Sequence, residues 1–336
     1  MSCVTELMQP CSEVMINRRN FVLTTAAAAL GLMVGCGPGT ATKDASGKKT
    51  VVTTTTMLQD LATVIGGEDL QVRGIMKPGG DPHLYKPTPA DASMIARSDM
   101  VLTNGLKLEG WIDDLVRNAG GKASIKVASK GIEALRDPNK TNYPDPHIWH
   151  DPTLWTKAAQ NVRDAFIELD PEHAEGYRAR TAGYIKDLGT LDAEIKKAVE
   201  TLPAERRVLI TSHDAFQYYA KRYGLKVMAV QGLSTESEAG ARDVARIVDA
   251  VKANGLPAIF VETSVNPKLI EQISRESGAK IGGTLYSDSL GEPGGPGGTY
   301  LDMLRQNTQI ITKALGGKAA APAPTQKAKP QEAKQP

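Results

Sequence analysis

Five histidines occur in the 336 residues, and most stand in segments suited to holding a side chain still. His83 lies in "GGDPHLYKPTPAD", Gly79 to Asp91, where glycines permit unusual backbone angles and prolines stiffen the chain beside them. His147 and His150 share "DPHIWHDP", bracketed by Pro146 and Pro152. His213 follows the β-branched run "VLITS", and Asp288 sits in "LYSDSLGEPGGPGGTY". Neutral imidazoles with one carboxylate are a donor set for divalent transition metals, and a stiff loop lowers the entropy cost of ordering them. Each residue also has an ordinary reading. Loop histidines are often bystanders, a lone loop aspartate is usually a turn former, and His213 could simply adjoin a helix cap made by Ser212 or Asp214. Of His147 and His150, three apart, either or both could face a ligand. His173, in "DPEHAEG", reads as solvated. Only the constellation argues for a His/carboxylate metal site.

Composition narrows the alternatives. Lys and Arg number 40 against 38 Asp and Glu, a net charge of +2, so no global basic field for nucleic acid exists. Aromatic residues make up 5%, too few for single-strand stacking platforms. The three cysteines are Cys3, Cys11 and Cys36, so the body has no disulfide framework, thiolate metal site or cysteine nucleophile.

The elements that must position these residues are legible in outline. "TVVTTTTM", "LQVRGIM" and "DMVLTNG" read as strands, with helices at "LQDLATVIGG" and "PADASMIARS" between them. The later part repeats the pattern. Strands are expected at "RRVLITS", "KVMAVQG", "AIFVETS" and near "AKIGGTLYSD"; helices at "DAFQYYAKRYG", "ARDVARIVDAVKANG" and "PKLIEQISRESG". Alternating strands and helices imply parallel sheets with crossover helices, and ligands then gather beyond the carboxyl ends of strands. The expected organisation is α/β: a lobe over 50–170, a connecting helix over 171–203 and a second lobe over 204–315. A helical hairpin is the alternative for the middle segment.

The ends of the chain read differently. Arg18 and Arg19 precede an apolar run from Phe21 to about Val34, shorter than the roughly 20 residues of a membrane span. Residues 1–36 therefore read as an export signal, with Met15 an alternative start. Residues 37–49 are a polar tether, and 316–336, rich in Ala, Pro, Lys and Gln, a disordered tail.

Several of these segments recur in one known family. "MVGC" resembles a bacterial lipobox with Cys36 as the acylated residue, although Met33 stands where leucine is usual. "NRRNFVL" also resembles a twin-arginine signal. "GGDPHLYKPTPAD", "NGLKLEGW", "DPHIWHDP", "TSHDAFQYYAKRYGL", "VQGLSTESEAG", "IFVETSVNPK" and "LYSDSLGEPGGPGGTYLDMLRQN" occur in family order between about Val51 and Leu315. The chain resembles the substrate-binding lipoproteins of manganese and zinc ABC transporters, the metal-binding cluster A-I family. The resemblance implies two α/β lobes joined by one long rigid helix, with a single metal held by His83, His147, His213 and Asp288. Relatives carry His or Glu as the third ligand, and often an apolar residue at the position of His150. His150 is therefore read as a bystander, with a supporting group or an alternative ligand as the other readings.

Three imidazoles and one carboxylate suit tetrahedral Zn2+, and a two-oxygen Asp288 would also admit Mn2+. "RDPNKTNYP" lacks the His-rich loop that high-affinity zinc importers of the family often carry. The expected cargo is Mn2+ or Zn2+, with iron a lesser option, and affinity is expected to fall below about pH 6. The resemblance implies a monomeric receptor, anchored outside the cytoplasm by lipidated Cys36, that serves an ABC permease and its ATPase. The alternatives are a metal-dependent hydrolase, with Glu236, Glu238 or Glu262 as base, and a surface adhesin.

Overall fold

The computed structural model describes residues 47–137 and 143–317. The export signal with Cys36, most of the tether, part of the "RDPNKTNYP" segment and nearly all of the tail lie outside the described residues.

The first half alternates strand and helix as β1 Lys49–Thr53, α1 Thr56–Gly66, β2 Leu70–Gly74, α2 Pro89–Ala96, β3 Met100–Thr103, α3 Ile112–Ala119 and β4 Ser124–Val127. Helix α1 starts where Thr55 Oγ1 accepts from the Leu58 amide at 3.3 Å. Thr88 and Asp91 form a reciprocal capping box at α2. The four strands form one parallel sheet in the order β2-β1-β3-β4. The strand β4 and helix α3 were not expected from sequence. "SIKV" is short and mostly exposed, so it carries little burial signal.

Two helices then lead into the second half. α4 spans Pro152–Leu169, and after a 3-10 turn at Pro171–His173, α5 runs from Ala174 to Glu200. At 1.5 Å per residue, 27 residues reach about 40 Å. Its buried positions Tyr177, Thr181, Tyr184, Leu188, Leu191 and Ile195 alternate steps of four and three, one continuous stripe. Gly183 and Gly189 fall on the exposed face, where they interrupt no packing.

The second half contains β5 Val208–Thr211, α6 Gln217–Tyr223, β6 Lys226–Ala229, α7 Ala241–Asn254, β7 Ala258–Glu262, α8 Lys268–Ser277, β8 Lys280–Leu285 and α9 Tyr300–Ala314. β5 pairs with β6 and β7 with β8, both parallel, and β5 lies beside β7. α6 begins later than its sequence pattern. Asp214 to Phe216 instead form a tight turn, with the Ala215 amide on the His213 carbonyl at 3.0 Å and the Asp214 amide on Gly232 O at 3.1 Å.

The long helix is bolted to both halves. Arg180 donates to the C-terminal carbonyls of α1, Ile65 O at 2.7 Å and Gly66 O at 3.1 Å, and to Asp69 at 2.6 Å. On the other side Asp192 takes both arms of Arg222 in α6, and Glu194 takes Arg305 in α9. Among the described residues, no helix is long and apolar enough to cross a membrane.

Candidate metal centre

Each half of the chain sends two side chains to one point. His83 follows β2, His147 precedes α4, His213 follows β5, and Asp288 follows β8. All four are buried, and one ligand atom from each lies within 4.8 Å of the others. His83 Nε2 stands 3.4 Å from His147 Nε2. Asp288 Oδ2 is 3.1 Å from His213 Nε2 and 3.9 Å from His83 Nε2, while Oδ1 is 3.6 Å from His147 Nε2. His213 Nε2 and both Asp288 oxygens have no hydrogen-bond partner among the described residues. Buried polar atoms without partners are costly, so this cluster is chemically incomplete as it stands. An octahedral or tetrahedral cation would complete it.

The rings are aimed by carboxylates behind them. Asp145 Oδ1 accepts from the His147 amide at 2.9 Å and from His147 Nδ1 at 2.7 Å. Glu262 accepts from the His213 amide at 2.9 Å and from His213 Nδ1 at 2.5 Å. A carboxylate on Nδ1 fixes the tautomer that leaves Nε2 free for a metal. The sequence reading missed Asp145 and considered Glu262 only as a hydrolytic base. With both oxygens engaged by His213, Glu262 is an orienting group; Glu236 and Glu238 are exposed.

The loop after β3 braces the segments of His83 and His147 together. Trp111 Nε1 donates to the Pro82 carbonyl at 2.9 Å, and Asn104 Nδ2 donates to the Pro146 carbonyl at 3.0 Å. That loop folds over buried Glu109, which accepts from Asn104 N at 2.7 Å, Gly105 N at 3.1 Å and the Thr54 hydroxyl. Gly105, Leu106 and Lys107 all have positive φ. "NGLKLEGW" is thus a clamp for the two histidine-bearing loops.

Asp288 is held from the C-terminal side. Asn307 in α9 takes Tyr286 N at 2.9 Å and gives to Tyr286 O at 2.7 Å. The glycine-rich loop wraps the Tyr286 ring, and a Cβ on Gly297, at φ 69, would sit 2.7 Å from it. His150 does not join the four. It is buried beside them, with Nε2 on the Ser287 carbonyl at 3.0 Å. His173 is half-exposed and pairs with Asp170.

Burial lowers the pKa of His83 to about 4 and of His147 to about 3, so both rings stay neutral well below the pH 6 expected from sequence. His213 behaves oppositely: burial opposes its charge, but Glu262 and Asp288 outweigh it and raise its pKa well above the usual. Burial works to raise the Asp288 pKa, yet His213, His147 and His83 together lower it. Burial pushes Asp145 up to about 8.

Parallel α/β sheets around a buried set of three imidazoles and a carboxylate define a class of protein, the metal-binding receptors of ABC importers. The chain belongs to the family described as "Zinc-uptake complex component A periplasmic", ZnuA, whose sequence profile matches residues 51–314. This is a family of metal-uptake components and not of enzymes. The manganese-binding lipoprotein MntA of Bacillus subtilis is 38% identical over 304 residues, 88% of this chain and 99% of that protein. The iron-binding protein YfeA of Yersinia pestis is 35% identical over 81% of this chain and 88% of its own length. Among solved structures, the periplasmic zinc-binding protein TroA from Treponema pallidum superposes with a TM-score of 0.77 at 36% identity, covering 80% of this chain and 99% of TroA.

Proposed function

We propose that this protein is an extracytoplasmic receptor that captures one divalent cation, Mn2+ or Zn2+, and delivers it to the permease and ATPase of an ABC importer. The observation that carries the reading is the convergence of four buried side chains, with His213 Nε2 and both Asp288 oxygens lacking any hydrogen-bond partner among the described residues. His83, His147, His213 and Asp288 are the ligands. Neutral imidazoles replace the water shell of the ion, and Asp288 supplies the compensating charge. Residues 50–170 and 204–315 act as two lobes on either side of the ion, with 171–203 between them.

Relatives named as manganese-, iron- and zinc-binding proteins lie at similar identity, so kinship leaves the cargo open. Lipoprotein names among them support a signal over 1–36 that ends in acylated Cys36. Four protein ligands leave no open position for an activated water, which argues against the hydrolase alternative. Native mass spectrometry with elemental analysis, on protein purified without added metal, tests the reading. One manganese or zinc per chain is expected. Metal-free chains that also fail to take up either ion in titration would refute it.

A further inference from the structure

His150 occupies a junction among three ligand-bearing segments. It ends the 3-10 turn Ile148–His150 that follows His147. Its ring packs against Phe216, three residues after His213, with centroids 4.4 Å apart. Its Nε2 donates to the carbonyl of Ser287, the residue before Asp288, at 3.0 Å. Since Nε2 carries the hydrogen, Nδ1 is a bare lone pair. Nδ1 is buried and has no hydrogen-bond partner among the described residues. An apolar side chain would fill this space without that unsatisfied atom, so the imidazole carries a local cost.

The Ser287 carbonyl does not need His150 for its own satisfaction. Trp149 Nε1 already donates to it at 2.7 Å. The second donor occupies the other lone pair and so fixes the plane of the 287–288 peptide. The Ser287 hydroxyl is tied separately to Ser264 Oγ at 2.9 Å. Beyond this doubly held peptide, the Asp288 carboxylate turns one oxygen to His213 and the other to His147. Both oxygens therefore face the metal position.

We propose that His150 is a specificity-determining positioning residue: by holding the Ser287 carbonyl it keeps Asp288 in a two-oxygen posture that favours Mn2+ over Zn2+. Two-oxygen binding raises the coordination number above four, which suits Mn2+ better than tetrahedral Zn2+. Intrinsic affinity favours Zn2+ at almost any such donor set, so a receptor that is to hold Mn2+ needs a geometric bias of this kind. The inference rests on the receptor reading above.

The test is titration of metal-stripped wild type, His150→Leu and His150→Gln with Mn2+ and with Zn2+. In His150→Leu, Mn2+ affinity should fall by about tenfold or more while Zn2+ affinity stays within about threefold. His150→Gln, whose amide can still donate to the carbonyl, should recover most of the Mn2+ affinity. Co2+ bound to His150→Leu should absorb more strongly in the visible than in wild type, as four-coordinate Co2+ does. If His150→Leu fails to fold, as judged by circular dichroism, His150→Phe replaces it as the variant that fills the space without a donor. Equal losses for both metals, or no change in either, would overturn the inference and leave the receptor reading intact. Failure of the wild type to bind either ion would overturn both.

Discussion

Two segments of this chain spell Asp-Pro-His, at 81–83 and 145–147, and the fold brings both histidines to one point. Their backbones are braced alike. Each aspartate accepts from the amide of the histidine two residues on, at 2.8 Å for Asp81 and 2.9 Å for Asp145. Each proline carbonyl is held by the loop after β3. They differ in what the aspartate does next. Asp145 also takes the Nδ1 of its own histidine. Asp81 instead accepts from the Thr235 hydroxyl, at 2.6 Å, in the other half of the chain. Beside it, Gly79 N donates to Ser289 Oγ at 2.8 Å. The same three residues thus make a histidine fixed by its own neighbour in one place, and a histidine tethered across the molecule in the other. His83 is the corner whose position depends on the two halves being together.

That contrast can be broken most severely by removing a ligand. His147→Ala or His213→Ala should lower metal affinity by orders of magnitude in calorimetry, with the fold retained by circular dichroism. Next in size is the aiming carboxylate. Asp145→Ala should cost about 10–100-fold in affinity at equilibrium, since the His147 ring loses its Nδ1 partner. Thr235→Val should leave equilibrium affinity less affected, at about fivefold for one hydrogen bond, and should act chiefly by speeding metal release in chelator-chase experiments. If Thr235→Val and Asp145→Ala proved equal in both readouts, the distinction between a fixed and a tethered corner would fail.

The smallest effect is on pH dependence. Burial keeps His83 and His147 neutral down to about pH 4 and pH 3, so protons compete with metal there only in strong acid. His213 is the exception, its pKa raised by Glu262 and Asp288 despite burial. Metal binding must displace any proton on its Nε2. Affinity should therefore rise with pH, with proton release accompanying metal uptake. Calorimetry in buffers of different ionisation enthalpy measures that release directly.

His83 and His147 stood out in the sequence because they lie beside prolines, and His213 because it follows a β-branched run; Asp288, which alone reads as a turn former, joined them through the family resemblance, and the structure brings the four together. The α/β alternation and the long helix were legible because periodicity is local. The groups that support the ligands were not. His213 and Glu262 are 49 residues apart and meet because β5 lies beside β7, a neighbour relation that no local pattern encodes. Asp145 was within reach, because it repeats Asp81 at the same spacing from a histidine. His150 was read as a bystander because its partner, a backbone carbonyl 137 residues away, has no sequence signature.

One divalent ion bound jointly by His83, His147, His213 and Asp288 is the claim on which the rest depends. Anomalous diffraction from crystals loaded separately with Mn2+ and Zn2+ tests it most directly. One dominant peak per chain is expected, within bonding distance of Nε2 on all three histidines and of the Asp288 carboxylate. A dominant peak elsewhere, or one that omits either the 83/147 pair or the 213/288 pair, would contradict it.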